Sequence, residues 1–141
     1  MLECKMAFVA IAVEQWDAMV QFYSHLLGQS PQSHRPNMYA EFSMGNIRIG
    51  LFQPKPAHQE EFANRRTAKM SLCLEVDNLE HSQHMIDAAY CALSPSIATV
   101  PTPYGEVAIA SHGRECYAYD PDGNRLILHE AMKPFSAEPS H

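Results

Sequence analysis

The chain has 141 residues, of which 46% are hydrophobic and 18% are charged, and its formal net charge at neutral pH is −6. This length corresponds to one domain with a core of its own, and the composition excludes a chain that is disordered throughout. Because DNA and RNA require a basic binding surface, the acidic balance argues against a nucleic-acid partner. No apolar run approaches the ~20 residues of a membrane helix, so we expect no membrane partner.

The cysteines indicate the compartment. None of the four lies in a Cys-x-x-Cys spacing, and thiols scattered in this way are typical of a reduced, intracellular protein. The first residues carry no basic stretch followed by a long apolar run, so we expect no signal peptide. We therefore predict a cytoplasmic protein.

The chain begins with a strand and a helix. Met6–Val13 is short, apolar and rich in β-branched residues, which is typical of a strand covered on both faces. Apolar residues at helical spacing over Gln15–Leu27, followed by Gly28, predict a helix that ends at a glycine cap.

A hairpin follows this helix. Tyr39–Met44 and Ile47–Phe52 read as strands, and the Gly45-Asn46 pair between them is a strong turn signal. A further strand is expected near His34. Residues 54–68 are polar, with little periodicity, and predict a linker that is either a loop or a lid over a pocket.

The second half repeats this order. Met70–Val76 predicts a strand, and Asp77 with Glu80 three residues later predicts a capping box at the start of a helix. That helix is expected to stop at Pro95. The later strand candidates are Ile97–Val100, Val107–Ala110, Glu115–Tyr119 and Arg125–Glu130, with the turn Asp120-Pro121-Asp122-Gly123-Asn124 between the last two.

These features resemble the vicinal oxygen chelate superfamily, which includes glyoxalase I, bleomycin resistance proteins and extradiol dioxygenases. The resemblance rests on Phe22-Tyr23 with Leu27-Gly28, on Glu75-Val76-Asp77 and above all on the Asp120–Asn124 turn. It implies an α+β fold in which two βαβββ modules form a curved, cup-shaped mixed sheet with helices on the outside. We expect one domain over residues 1–135, with module one at 5–53, the linker at 54–68, module two at 69–131 and a loose tail at 133–141.

The metal enzymes of this family place four ligands on strand positions that face the cup. The resemblance maps these positions onto Phe8, Gly50, Ser71 and Ile127, none of which is a typical ligand of Zn²⁺, Fe²⁺ or Ni²⁺. We therefore predict that the usual metal site is absent and that no cofactor is bound, unless the ligands have moved, for example to Glu75 and His129.

Strand alternation gives the other residues of the concave cup face. Its opposite face is largely aliphatic, with Glu130 as a charged exception at a strand end. Arg48 is suited to bind a carboxylate or phosphate, His129 to transfer a proton and Glu75 to act as a base. The structural alternative is that Arg48 pairs with Glu75. The ligand-binding candidates are Phe8, Arg48, Phe52, Ser71, Cys73, Glu75, Arg125 and His129, whereas the facing of Tyr39, Tyr117 and Tyr119 is left open.

Three functions follow from the resemblance. The first is a metal-free protein, like the bleomycin resistance branch, that binds a small polar or aromatic molecule in the cup. The second is a metal-dependent lyase or dioxygenase with relocated ligands, and the third is a degenerate dimeric interaction module. The resemblance also implies a homodimer with pockets at or near its interface.

Overall fold

The computed structural model describes residues 1–63, 70–93, 103–110 and 112–132. Module one consists of β1 (Val9–Ala12), α1 (Trp16–Leu27), β2 (Ser33–Arg35), β3 (Tyr39–Met44) and β4 (Ile47–Phe52). A 3-10 turn (Pro56–His58) and the short helix α2 (Gln59–Ala63) follow it. Module two consists of β5 (Leu72–Glu75), α3 (Leu79–Cys91), β6 (Ala108–Ala110), β7 (Gly113–Tyr119) and β8 (Arg125–Ala131).

The two modules have the same topology. Module one forms a four-stranded sheet in the order β1-β4-β3-β2, and module two forms one in the order β5-β8-β7-β6. In each sheet the first strand pairs in parallel with the last, and the remaining pairs are antiparallel. The predicted α+β fold of two βαβββ modules is thereby confirmed. The described strands form one mixed sheet in each module rather than the single sheet that was expected.

One hydrophobic core joins the modules through their helices. Helix α1 packs against α3, and the ring of Phe22 lies 5.0 Å from that of Tyr90 and 5.1 Å from that of Tyr23. Aliphatic side chains from the backs of both sheets complete the core, among them Ile49 and Leu128. Among the described residues, no helix is long and apolar enough to cross a membrane.

The local signals of module one are confirmed in detail. Gly28 caps α1 in the left-handed conformation with φ of 61°, and its backbone N–H donates to the carbonyl of His25 at 3.3 Å. Gly45 has φ of 57° at the hairpin, where a residue with a side chain would be strained. The strand expected near His34 is β2.

The first strand differs from its prediction. It is limited to four residues, and the side chain of Ala10 is exposed, so β1 is not covered on both faces. The reason is its position: β1 pairs with β4 alone among the described strands and therefore lies at the edge of its sheet.

The start of α3 also differs from its prediction. Its N-cap is Asn78 rather than Asp77, and the Asn78 Oδ1 accepts from the His81 amide at 2.8 Å. Glu130 provides a second cap, because its Oε2 accepts from the amide of Leu79 at 2.8 Å. Arg114 Nη2 then lies 2.8 Å from Glu80 and 3.0 Å from Glu130, which explains the charged exception on the aliphatic face.

The predictions for the linker, the second hairpin and the later segments have different outcomes. Within the linker predicted at 54–68, residues 56–63 are not an irregular loop: the 3-10 turn leads into α2, which has Glu60 and Glu61 in its first turn. The second hairpin and its Gly123 turn, with φ of 87°, are confirmed. The strand predicted at Ile97–Val100, the stop at Pro95, Arg65-Arg66 and the tail at 133–141 lie outside the described residues.

Candidate functional site

The strand register defines the cup face of each sheet. Gly50 pairs with Ala10 in module one, while Cys73 pairs with Ile127 and Glu75 with His129 in module two. The residues between them point the other way, and these are fully or nearly fully buried: Ile49, Leu51, Leu126 and Leu128. The predicted aliphatic back of the sheets is thus confirmed.

The same register settles the three tyrosines. Tyr39 lies opposite Phe52, Tyr117 opposite Ile127 and Tyr119 opposite Arg125. Residues directly opposite each other on neighbouring strands share a face. All three tyrosines therefore belong to the cup face, a fact that depends on strand pairing and is invisible in the local sequence.

In module one the cup face carries a small polar cluster. The Tyr39 hydroxyl donates to Glu41 Oε1 at 2.8 Å, and Arg48 Nη1 lies 3.7 Å from Glu41 Oε2. Burial, followed by the hydrogen bond to Glu41, raises the pKa of Tyr39, so it stays protonated at neutral pH. Glu41 was not among the predicted residues, although its alternation with Tyr39 along β3 was a signal for it.

The expected pairing of Arg48 with Glu75 is wrong. Arg48 pairs with Glu41 inside its own sheet, and Glu75 Oε1 lies 3.9 Å from His129 Nδ1 inside the other sheet. The Glu75 side chain is 73% exposed, so water screens this second pair. Glu41 and Glu75 thus each lie beside a basic side chain of their own sheet.

A second contact pair joins the ends of β5 and β8. Arg125 Nε donates to Ser71 Oγ at 2.7 Å, and the guanidinium carbon lies 5.5 Å from the centre of the Tyr117 ring. Cys73, two residues beyond Ser71, is exposed rather than packed as a small apolar residue. Of the eight ligand-binding candidates, the structure thus brings together Arg125 with Ser71 and Glu75 with His129.

The four mapped metal positions do not fit a metal ion. Phe8 and Ile127 offer no electron pair, and Ser71 Oγ is engaged by Arg125. At Gly50 a Cβ atom would lie 2.8 Å from the Tyr39 hydroxyl oxygen, so the tyrosine occupies the space that a ligand side chain would need. Across the described ranges, no three His, Cys, Asp or Glu residues are grouped to hold a metal.

A cavity of about 1130 Å³, called the large cavity below, lies along the edge strand β1. All four residues of β1 line it, together with the beginnings of β5 and β8. Ser71 and Arg125 supply polar groups, and Phe62 of α2 supplies an aromatic ring. That ring is in edge-to-face contact with Phe52 at 5.5 Å, so the predicted linker contributes a wall to the cavity.

A smaller cavity of about 450 Å³ lies between the C-terminal end of α1 and strand β5. Its lining is largely apolar, and Cys73 and Glu75 belong to it. The predicted set is therefore divided: Ser71 and Arg125 line the large cavity, Cys73 and Glu75 line the small one, and Phe8, Arg48, Phe52 and His129 line neither.

The turn at Asp120–Asn124 lies in module two but binds residues of module one. Asp122 Oδ2 accepts from the Glu14 amide at 2.8 Å, and Asp122 Oδ1 accepts from the Gln15 amide at 3.1 Å, so the turn caps the start of α1. Asp120 is fully buried and accepts from the Tyr23 hydroxyl at 2.8 Å. The sequence indicated this turn but gave no sign that it binds the other module.

Comparisons with known proteins agree with this geometry. The model of the Glyoxalase/Bleomycin resistance protein/Dioxygenase superfamily matches residues 5–128, and the chain belongs to this superfamily. A comparison with curated proteins finds no significant match by sequence.

Three solved structures illustrate the shared fold. A glyoxalase-related enzyme from Fulvimarina pelagi is 16% identical, with a TM-score of 0.66 over 96% of this chain and 95% of that one. A bleomycin-binding protein in complex with bleomycin is 18% identical, with a TM-score of 0.61 over 92% and 100%. The bleomycin-binding protein of Streptomyces verticillus, in complex with copper(II)-bleomycin, is 22% identical, with a TM-score of 0.60 over 94% and 100%.

Proposed function

We propose that this protein binds a small molecule with an aromatic or apolar body and polar groups, without the help of a metal ion. The observation that carries this proposal is the cavity of about 1130 Å³ along β1. Ligand sites in proteins typically enclose ~300–1,000 Å³, with mostly apolar walls and a few polar groups that fix orientation. Here Phe62 and Met70 supply apolar surface, and Ser71, Asn124 and Arg125 supply the polar groups.

Two further observations support the proposal. The solved structures that share this fold include bleomycin-binding proteins in complex with their ligand. The mapped metal positions carry side chains that do not ligate metals, and Tyr39 fills the space at Gly50. Both favour a binding protein over the metal-dependent lyase or dioxygenase.

The binding proposal is tested with 1-anilinonaphthalene-8-sulfonate, an aromatic probe whose fluorescence rises in apolar cavities. We expect saturable binding to the folded protein, and a Phe62→Ala variant is expected to bind about tenfold more weakly, equivalent to ~1.4 kcal/mol. Met38→Ala is the matched control, because Met38 is an exposed apolar residue that does not line this cavity. Equal affinities of the wild type and Phe62→Ala would contradict the assignment of the site.

Metal analysis tests the second part of the proposal. We expect purified protein to contain only substoichiometric Zn, Fe, Mn and Ni by mass spectrometry. We also expect its melting temperature to be unchanged by a chelator, because the described residues contain no ligand set that would couple metal binding to folding. One tightly bound ion per chain would instead favour the enzyme with relocated ligands, and Glu75→Gln and His129→Ala would then be examined for metal loss.

We further propose that the protein is a cytoplasmic homodimer. Large apolar side chains are exposed, Phe8 at 45% just before β1 and Tyr117 at 43% on the cup face, and such surface is commonly covered by a partner subunit. Exposed thiols at Cys4, Cys73 and Cys91 suit a reducing compartment. Sedimentation velocity is expected to give twice the chain mass of 15.8 kDa. A dimer that binds no small molecule would favour the interaction module.

A further inference from the structure

The turn Asp120–Asn124 connects the two modules through hydrogen bonds, and we call this set of contacts the joint. Asp122 accepts two amide protons at the start of α1, and the Gln15 side-chain Nε2 donates to the Pro121 carbonyl at 2.7 Å. These contacts tie the last hairpin of module two to the first helix of module one. The joint is thus held by hydrogen bonds as well as by the apolar packing of α1 on α3.

Asp120 organises this joint from inside. Its Oδ1 accepts from the backbone amides of Asp122 and Asn124 at 3.0 and 2.9 Å and from Asn124 Nδ2 at 3.1 Å. Its Oδ2 accepts from Asn124 Nδ2 and from the Tyr23 hydroxyl, both at 2.8 Å. Tyr23 lies in module one, so one buried carboxyl group holds the turn in shape and also binds the other module.

In all five of these contacts Asp120 is the hydrogen-bond acceptor, as expected for an ionised carboxylate. A protonated carboxyl group must donate one hydrogen bond itself, and two N–H donors of the turn are backbone amides that never accept. The Tyr23 hydroxyl is able to accept after rotating its proton. Protonation therefore changes the Tyr23 contact first, because this hydroxyl can reverse its role.

We propose that Asp120 makes the contact between the modules responsive to protons. When ionised, it binds Tyr23 and holds the turn in the shape from which Asp122 binds the start of α1, and protonation weakens both contacts. The groups that face Asp120 are Tyr23 from α1, Tyr90 from α3, and Asp122 and Asn124 from the turn. Since Tyr23, Asp122 and Asn124 also line the large cavity, the wall of that cavity changes with the joint.

Asp120 is expected to change its protonation state at a pH that is accessible to experiment. Burial raises the pKa of Asp120 to about 6 from its ordinary 3.8, against the opposing effect of the hydrogen bonds from Asn124 and Tyr23. A raised pKa in the folded state means that the contribution of Asp120 to stability is fully present below pH 3.8 and is lost as the pH rises through 6. Protonation weakens the contact between the modules and yet stabilises the folded protein, because it removes a buried charge.

The experiment follows the backbone amide shifts of Glu14 and Gln15 by NMR between pH 4.5 and pH 7.5, on the full chain. We expect both shifts to follow one titration with a midpoint near 6, and we expect Asp120→Asn to abolish it. Asp17→Asn is the control, because Asp17 is an exposed acid in the first turn of the same helix and its loss should leave the titration in place.

A second variant keeps the proposal testable if Asp120→Asn does not fold. Tyr23→Phe removes the donor from module one, and this donor favours the ionised carboxylate, so the midpoint is expected to rise. Flat shifts of Glu14 and Gln15 in the wild type would overturn the proposal. A titration that persists in Asp120→Asn, or an unchanged midpoint in Tyr23→Phe, would overturn it as well.

Discussion

Gly113→Ala is expected to lower the stability of the protein by about 3 kcal/mol or more, which is a shift of about 10 °C in the melting temperature. Gly113 opens β7 with φ of 148°, a conformation that residues with side chains rarely adopt. A Cβ atom there would overlap the carbonyl oxygen of Glu130, and backbone atoms of Ala131 and Met132 also lie too close. The strand pairing of β7 with β8 must therefore shift.

Gly45→Ala is the matched control for this prediction. Gly45 also has a positive φ, 57°, but a Cβ atom at this hairpin would meet nothing within 4 Å. We expect it to cost about 1 kcal/mol from backbone strain alone. Thermal denaturation of both variants measures the difference, and equal losses would show that the contact with Glu130 does not limit residue 113.

Phe22→Ala is expected to cost about 3–5 kcal/mol, because truncation of a buried phenylalanine removes apolar contacts and leaves a cavity. Phe22 is fully buried in α1 between the rings of Tyr23 and Tyr90, so its loss weakens the contact between the helices of the two modules. Urea denaturation is the measurement, with the midpoint as readout and an unchanged slope as evidence for a two-state transition.

Phe62→Ala is the matched comparison, because it is the same substitution at a partly exposed position. Its side chain is 41% exposed at the wall of the large cavity, and its ring contacts only Phe52 among the aromatic rings of the described residues. We expect it to lose well under half of the stability that Phe22→Ala loses, while it weakens probe binding. A reversed order would mean that α2, rather than the α1–α3 contact, stabilises the molecule.

The two arginines of the cup face, Arg48 and Arg125, differ in their surroundings. Arg48 and Glu41 form a partly exposed pair, and such pairs contribute ~0–1 kcal/mol to stability. The positive charge of Arg48 is thus offset within its own sheet. Arg125, held by Ser71 and positioned over Tyr117, is the arginine that lines the large cavity. If the proposed ligand has an acidic group, we therefore expect this group to bind near Arg125 at the start of β8.

The elements were predictable where the signal is local. Helical spacing over Gln15–Leu27 with Gly28, and the Gly45-Asn46 turn between two alternating runs, determined α1 and the first hairpin to within a residue. The choice of Asn78 over Asp77 as the cap of α3 was not predictable, because both side chains are good caps. The second cap of this helix start was not predictable either, because Glu130, which binds the Leu79 amide, is distant in sequence.

The family, the two βαβββ modules and the aliphatic backs of the strands could all be predicted from the amino-acid sequence. So could the residues at the mapped metal positions, Phe8, Gly50, Ser71 and Ile127. Periodicity and turn chemistry depend on neighbours within a few residues, and those are written in the chain. Three contacts became visible only in the folded structure: Arg48 pairs with Glu41, Phe62 lines the large cavity and Asp120 binds Tyr23. Such contacts join residues separated along the chain, and burial and charge select among many chemically acceptable partners only once the modules have packed.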